Sequence, residues 1–366
     1  MIIVFGCGSS GNELIKKEKI KVNFFTDNDK RTWGKKINSI KVIPPFKLRN
    51  LKISKIYIAV PAIELIKEQL KSYQIKNNKI FVSKFLVENQ ISKLEKDLLI
   101  TANGKNGGIY KYFSRKNKVK KVFSGSVRGI IKINKSFICV DENKGLLKLS
   151  NKFKILKRIK IEKLSNPHGV TFNKRSKKIY LLLTSNDSIA EISYSKFSID
   201  KIYNFKKNNE KVDLHHLNSI TYFKSNLFLT MFSIKGNWRK NIWTNGALVQ
   251  VKSLKQKKFK IIKGGLLQPH SATFHNNKFF FCNSKTFQVM SLKKDVILNF
   301  NGYTRGLLID KNFFIVGISK TRRFQNFNKK LEYMSLDSGF HIINRKFKTQ
   351  NFIKLPTIDI FDIIFA

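Results

Sequence analysis

Five short phrases recur along most of the chain, and a fold must explain them. They are Arg128-Gly129-Ile130-Ile131-Lys132, His168-Gly169-Val170-Thr171-Phe172, Asn218-Ser219-Ile220-Thr221-Tyr222, His270-Ser271-Ala272-Thr273-Phe274 and Arg305-Gly306-Leu307-Leu308-Ile309. Each opens on a polar residue, passes through Gly or Ser, and enters an apolar or β-branched run. A turn and a second apolar run follow each, such as Phe137-Ile138-Cys139-Val140 or Phe313-Phe314-Ile315-Val316. The Gly/Ser positions advance by 40, 50, 52 and 35 residues. Steps of this size suit four-stranded propeller blades of roughly 40–50 residues. Five blades leave strands unused at both ends of the region. Leu98–Thr101, Gly108–Tyr112 and Val119–Phe123 supply three, and Phe361-Asp362-Ile363-Ile364-Phe365 the fourth, of a sixth blade. The last strand would then close the ring and protect its own edge. The expected fold is an all-β six-bladed propeller over 98–366. A pair of β-sandwiches is the alternative, but it does not account for the repeated polar-Gly/Ser opening.

The first 84 residues read differently, as an α/β Rossmann-like domain. Ile2-Ile3-Val4-Phe5 is a short buried strand, and Gly6-Cys7-Gly8-Ser9-Ser10-Gly11 follows at once, matching G-x-G-x-x-G. A short helix over 12–19, a second strand Val22–Phe25, then Ile56–Val60, an amphipathic helix over 63–73 and Lys79–Val82 complete a βαβ pattern. Glycines let a backbone approach a pyrophosphate, and a helix start offers free N–H groups. Gly6, Gly8, Ser9, Ser10 and Gly11 are therefore the candidate phosphate cradle. Asp27, 21 residues after Gly6, stands where an acid accepts from a ribose hydroxyl, with Asn28 beside it. A ligand-free strand-to-helix turn is the competing reading. A helical linker over 85–97 precedes the propeller, with Leu86, Ile91, Leu94 and Leu98 at helical spacing.

The N-terminal part resembles the corresponding domain of NeuD/PglD-type sugar acyltransferases. Asp27-Asn28-Asp29, Trp33-Gly34-Lys35, Ile37-Asn38 and Val42-Ile43-Pro44 carry the resemblance. It implies a nucleotide-sugar ligand and, through it, a setting in surface glycan synthesis or modification. It does not imply acyl transfer, because the hexapeptide repeats of that family's left-handed β-helix are absent. The larger part resembles a bacterial propeller family of unknown function with PHS and F-x-RGL motifs. Gln268-Pro269-His270-Ser271, Gly302-Tyr303-Thr304-Arg305-Gly306-Leu307, Val316–Lys320 and Asn166-Pro167-His168-Gly169 carry this likeness. It implies the fold and brings no activity.

The residues that open the innermost strands of a propeller surround one channel. Arg128, His168, Asn218, His270 and Arg305, with His215 and His216 just upstream of Asn218, are the candidate channel site. The chain has only 6 His, and four fall here. The arginines could pair a carboxylate or phosphate while the histidines donate hydrogen bonds. The histidines could hold a metal, with Asp213 the nearest acid, but no metal-ligand spacing supports that and no metal is expected. Or the set ties neighbouring blades together. His168 and His270 are the candidates for acid–base work if there is catalysis. Ser319–Arg323 and Gly236–Arg239, with Trp238, are weaker candidates for the rim.

The net charge of +49 suggests nucleic acid at first sight. Yet 61 Lys stand beside 11 Arg, and 35 Asn beside 7 Ala. That is the imprint of A/T-rich codons, and phosphate and guanine readers favour Arg. No specific nucleic-acid partner is expected; a protein partner is open. Three widely spaced cysteines and an N-terminus without a basic leader point to a cytoplasmic protein, and no apolar stretch reaches the roughly 20 residues of a membrane span. Three function classes follow: a binding protein or enzyme of nucleotide-sugar chemistry, a non-enzymatic ligand-sensing scaffold, and an NAD-linked oxidoreductase.

Overall fold

In a computed structural model, residues 1–83, 94–162, 165–205, 213–238, 245–293, 296–320, 337–345 and 350–366 are described. Two compact units are present, one of residues 1–93 with 343–351 and the other of 94–342 with 352–366.

The first unit forms around apolar runs too short for helices. Ile2–Phe5 (β1), Phe24–Thr26 (β2), Lys36–Ile37 (β3), Ile40–Ile43 (β4), Lys55–Ile58 (β5) and Ile80–Val82 (β6) make one sheet in the order β3-β4-β2-β1-β5-β6. Neighbours pair parallel except β3 with β4. Helices Ser9–Glu18 (α1) and Ile63–Ser72 (α2) connect strands. Ile3, Phe5, Ile56, Ile58, Ile66 and Leu70 share one core, and Val4, Leu14, Phe25 and Val42 another. A strand buried on both faces reads as a continuous apolar run, as β1 does. The β3–β4 hairpin did not register as strands in the sequence reading. It is a two-residue pairing around Asn38 and Ser39, both left-handed, too short for a periodic signal.

The second unit is six four-stranded antiparallel sheets. Their innermost strands are Val127–Ile133, Pro167–Asn173, Leu217–Phe223, Pro269–His275, Tyr303–Ile309 and Asp359–Phe365. Each touches the innermost strands of both flanking blades, so the ring closes. The closing blade joins Asp359–Phe365 to Leu98–Asn103, Gly108–Phe113 and Lys118–Ser124. Ile363 pairs with Ile100 and Phe365 with Leu98, which leaves no free edge at the seam. Cys139 and Cys282 are buried in second strands, as apolar filling. Of the expected linker helix, 85–93 lie outside the described residues, and 94–97 are not helical.

Candidate functional site

In the first unit, the glycine loop runs from β1 into α1. Gly6 donates its N–H to the Thr26 carbonyl at 2.7 Å, which binds the loop to the end of β2. Gly11 must lack a side chain, since a Cβ there would sit 2.0 Å from the Gly6 carbonyl oxygen. Gly8 faces open space, and Gly8 and Ser9 are exposed. No side chain caps α1. The strand order reverses between β1 and β5, so β2 and β5 flank the loop. Asp27 ends β2 beside this loop. Its Oδ2 accepts from the Cys7 N–H at 2.9 Å and from the Cys7 thiol at 3.2 Å, and its Oδ1 accepts from Asp29 N–H at 2.9 Å. Burial and this carboxylate push the Cys7 thiol up to about 11, so it is not a nucleophile at neutral pH. Asn28 exchanges amide hydrogen bonds with Gln69 of α2, both at 2.9 Å.

In the propeller, a register shift interrupts the pairing of every innermost strand at or beside its opening residue. A bulge bends a strand and re-aims a side chain. The polar-Gly/Ser phrase is thus the sequence trace of a bulge. Arg128, His168 and Asn218 line a small cavity of about 80 Å³ together with Phe361 and Asp362 of the closing blade. That volume holds a few waters.

Ring-to-ring contacts run around the mouth. Phe361 meets His168 at 5.8 Å, His168 meets His216 at 5.6 Å, and His216 packs on Trp238 at 4.4 Å and Phe232 at 4.3 Å. Phe232 then meets His270 at 5.2 Å, and His270 meets Tyr303 at 5.6 Å. Arg305 lies over Tyr303 at 5.0 Å and over Phe361 at 4.5 Å, which completes the circuit. The structure therefore brings His168, His216, His270 and Arg305 together, and adds Phe361, Trp238 and Tyr303. His215 stands apart: it pairs with the Ser233 carbonyl at 2.7 Å and packs on Phe205. Asp187 holds the turn that carries both histidines by accepting from Leu214 N–H at 2.7 Å and His215 N–H at 3.1 Å. The Asp213 carboxylate accepts from His216 Nδ1 at 2.8 Å, and the Asp213 carbonyl from Trp238 Nε1 at 2.8 Å.

His168 and His270 are held by one repeated device. His168 Nδ1 lies 2.8 Å from the Asn166 carbonyl and 2.9 Å from Thr184 Oγ1. His270 Nδ1 lies 2.9 Å from the Gln268 carbonyl and 2.8 Å from Ser284 Oγ. A carbonyl only accepts, so each Nδ1 carries the proton. Each hydroxyl in turn donates onward to the next blade, Thr184 to the Leu217 carbonyl at 2.5 Å and Ser284 to the Thr304 carbonyl at 2.6 Å. Asn166 and Gln268 both adopt left-handed backbone, with φ of 50° and 51°, which turns their carbonyls toward the ring two residues on. Burial, then Arg128 and His216, hold His168 well below its ordinary 6.5. Burial, then Arg305 and His216, do the same for His270. Both imidazoles are neutral at pH 7, with Nε2 as the remaining acceptor.

The two arginines differ. Arg128 pairs with Glu142 at 3.1 Å, donates to the Pro167 carbonyl at 3.0 Å and to the Asn166 side chain, and lies over Phe361 at 5.5 Å. Its charge is matched within the protein. Arg305 has no carboxylate partner among the described residues, and its Nε is buried without a hydrogen bond. Glu142, Thr184 and Ser284 escaped the sequence reading. The hydroxyls do leave a signal, since each directly follows a second strand, 16 or 14 residues after its histidine. Of the weaker candidates, Trp238 joins the circuit, while Arg239 and 321–323 lie outside the described residues. Among the described residues, no group of three His, Cys, Asp or Glu side chains could hold a metal ion, and no helix is long and apolar enough to cross a membrane.

Comparison with known proteins bears on the fold. No curated protein sequence matches the chain. Among solved structures, a chain of a nidogen/laminin complex is similar with a TM-score of 0.52 and 12% identity, over 73% of this chain and 97% of that one. A protein of unknown function from Bacteroides caccae is similar with a TM-score of 0.51 and 12% identity, over the same shares. At such identity the likeness is one of fold alone. Residues 1–81 match a family described as C2185-like, N-terminal; this match stands where the sequence suggested a sugar acyltransferase domain, and it carries no acyltransferase label. Residues 108–365 match the family described as domain of unknown function DUF4915, and with most of its length inside that match and its six blades closed by the final strand, the chain belongs to that family.

Proposed function

We propose that the protein binds two ligands: a nucleotide or nucleotide-sugar at the loop between β1 and α1, and a polar, anionic ligand at the propeller mouth. The setting would be synthesis or modification of a surface glycan, in the cytoplasm. The observation that carries the second site is the contrast between the arginines. A half-buried guanidinium without a carboxylate is a standing site for one, and Arg305 is that group. His168 and His270 would accept from ligand hydroxyls through Nε2, and the aromatic faces beside them suit a sugar ring. For the first site, support comes from the Rossmann-like reversal of strand order beside β1, the uncapped start of α1, the open space at Gly8 and the acid ending β2. Three buried free cysteines agree with a reducing compartment.

The mouth reads as a binding site rather than an acid–base centre. Imidazoles held neutral by burial and spent at Nδ1 are weak bases at neutral pH. This observation favours a ligand-sensing scaffold over an enzyme at the propeller. A thermal-shift panel separates the classes. UDP- or CMP-sugars raising Tm support the nucleotide-sugar reading. NAD(H) alone raising it supports an oxidoreductase, and silence across the panel leaves the scaffold. For the mouth, Arg305→Ala should abolish stabilisation by a carboxylated sugar such as glucuronate, while Arg305→Lys keeps part of it. Equal stabilisation of wild type and Arg305→Ala refutes the assignment.

A further inference from the structure

The small position after each opening residue is Gly129, Gly169, Ser219, Ser271 and Gly306 in five blades, and Asp362 in the sixth. Space explains the three glycines. A Cβ on Gly129 would lie 2.9 Å from the His168 carbonyl oxygen of the next blade. Where a side chain is present, it reaches the next innermost strand. Ser271 Oγ accepts from Gly306 N–H at 2.8 Å, and Ser219 Oγ faces Ala272 N–H at 3.5 Å. Asp362 does the same across the seam, accepting from Ile130 N–H at 3.3 Å, while its other oxygen accepts from Ile363 N–H at 3.0 Å. A serine would have sufficed for that tie. The carboxylate adds a negative charge that no lysine or arginine pairs among the described residues.

Its surroundings are oxygen-rich. The 80 Å³ cavity that Asp362 lines is also faced by Ser219, Thr221, Ser271 and Asn218. Of the charged or titratable groups lining it, Arg128 is neutralised by Glu142 and His168 is held neutral. An uncompensated carboxylate in protein surroundings must gain a proton or a cation. Its burial lifts its pKa to about 7, so near neutral pH the proton is readily given up. We propose that the channel beneath the mouth binds one dehydrated monovalent cation, of the Na⁺ or K⁺ class, against Asp362. One carboxylate balances one positive charge. The remaining ligands available are neutral hydroxyl and amide oxygens, which suit a weakly hydrated monovalent ion better than Mg²⁺, a doubly charged ion that dehydrates reluctantly. Arg305 does not line this cavity.

The test is Tm at pH 8 against rising NaCl or KCl, with the chloride of a bulky organic cation at equal ionic strength as reference. A site that binds only the folded state raises Tm with cation concentration by mass action. We expect a rise with Na⁺ or K⁺ beyond the organic cation, lost in Asp362→Asn. Crystals grown with Tl⁺ should show an anomalous peak within coordination distance of Asp362, which decides the matter even if the variant does not fold. Identical responses to the inorganic and organic cations, a response retained in Asp362→Asn, a response to Ca²⁺ alone, or no Tl⁺ peak would each overturn the proposal.

Discussion

The histidine–hydroxyl device predicts a specific cost for losing one oxygen atom. Ser284 is fully buried, and its hydroxyl links His270 to the Thr304 carbonyl of the next blade. Ser284→Ala removes almost no volume. It leaves the Thr304 carbonyl buried without this donor, while His270 Nδ1 keeps the Gln268 carbonyl. An unsatisfied buried acceptor costs about 1–3 kcal/mol. For a unit of this size, about 2 kcal/mol lowers Tm by roughly 4–8 °C. Thermal unfolding followed by far-UV circular dichroism reads the shift. Nitrogen chemical shifts of the imidazole report the second consequence, an Nδ1–H tautomer at His270 in wild type and variant alike. Thr184→Val should behave similarly through the Leu217 carbonyl, and the two losses should add, because they lie at different blade junctions with no shared partner. A Ser284→Ala shift under about 1 °C, or an Nε2–H tautomer in the wild type, would refute the device.

Arg128→Ala should destabilise more than Arg305→Ala, by about 2 kcal/mol or more, because it strands Glu142; equal losses in chemical denaturation would contradict the assignment of roles. His168 and His270 have folded pKa values below 6.5, so the folded state binds fewer protons than the unfolded one. Their contribution is present above pH 6.5 and is lost as pH falls through the folded values, and His270→Asn should flatten that acid limb of a Tm–pH curve. Asp362 has the opposite sign. Its raised pKa favours folding at low pH, and that contribution fades as pH rises from about 4 toward about 7, so in cation-free buffer Asp362→Asn should remove this loss. Gly11→Ala should destabilise the first unit through the 2.0 Å clash, while Gly8→Ala, which meets nothing, should leave its Tm within about 1 °C.

The repeat made the propeller legible, since one short phrase encodes a local event, the bulge that opens each innermost strand. Closure was legible because an apolar strand at the end of the described chain needs a partner, and Leu98–Asn103 provides it. The mouth was legible only in part. Its sixth opening residue is Phe361, apolar where the pattern is polar, so a reading for polar residues passes over it. Nothing in the sequence distinguishes Arg128 from Arg305, since Glu142 reaches Arg128 only through the pairing of the first blade's strands. His215 and His216 are adjacent in sequence, yet only the left-handed backbone of His216, φ 52°, turns that one into the ring circuit. In the first unit, the spacing singled out Asp27, which lies beside the glycine loop. It gave no sign that the carboxylate already holds Cys7.

The most direct test of the account is the electron density at the propeller mouth in crystals of protein purified from cell extract without added ligand. The account predicts an anionic group within hydrogen-bond distance of the Arg305 guanidinium, with ligand hydroxyls near Nε2 of His168 or His270. A mouth holding only ordered water, together with no affinity for anionic sugars in solution, would contradict it.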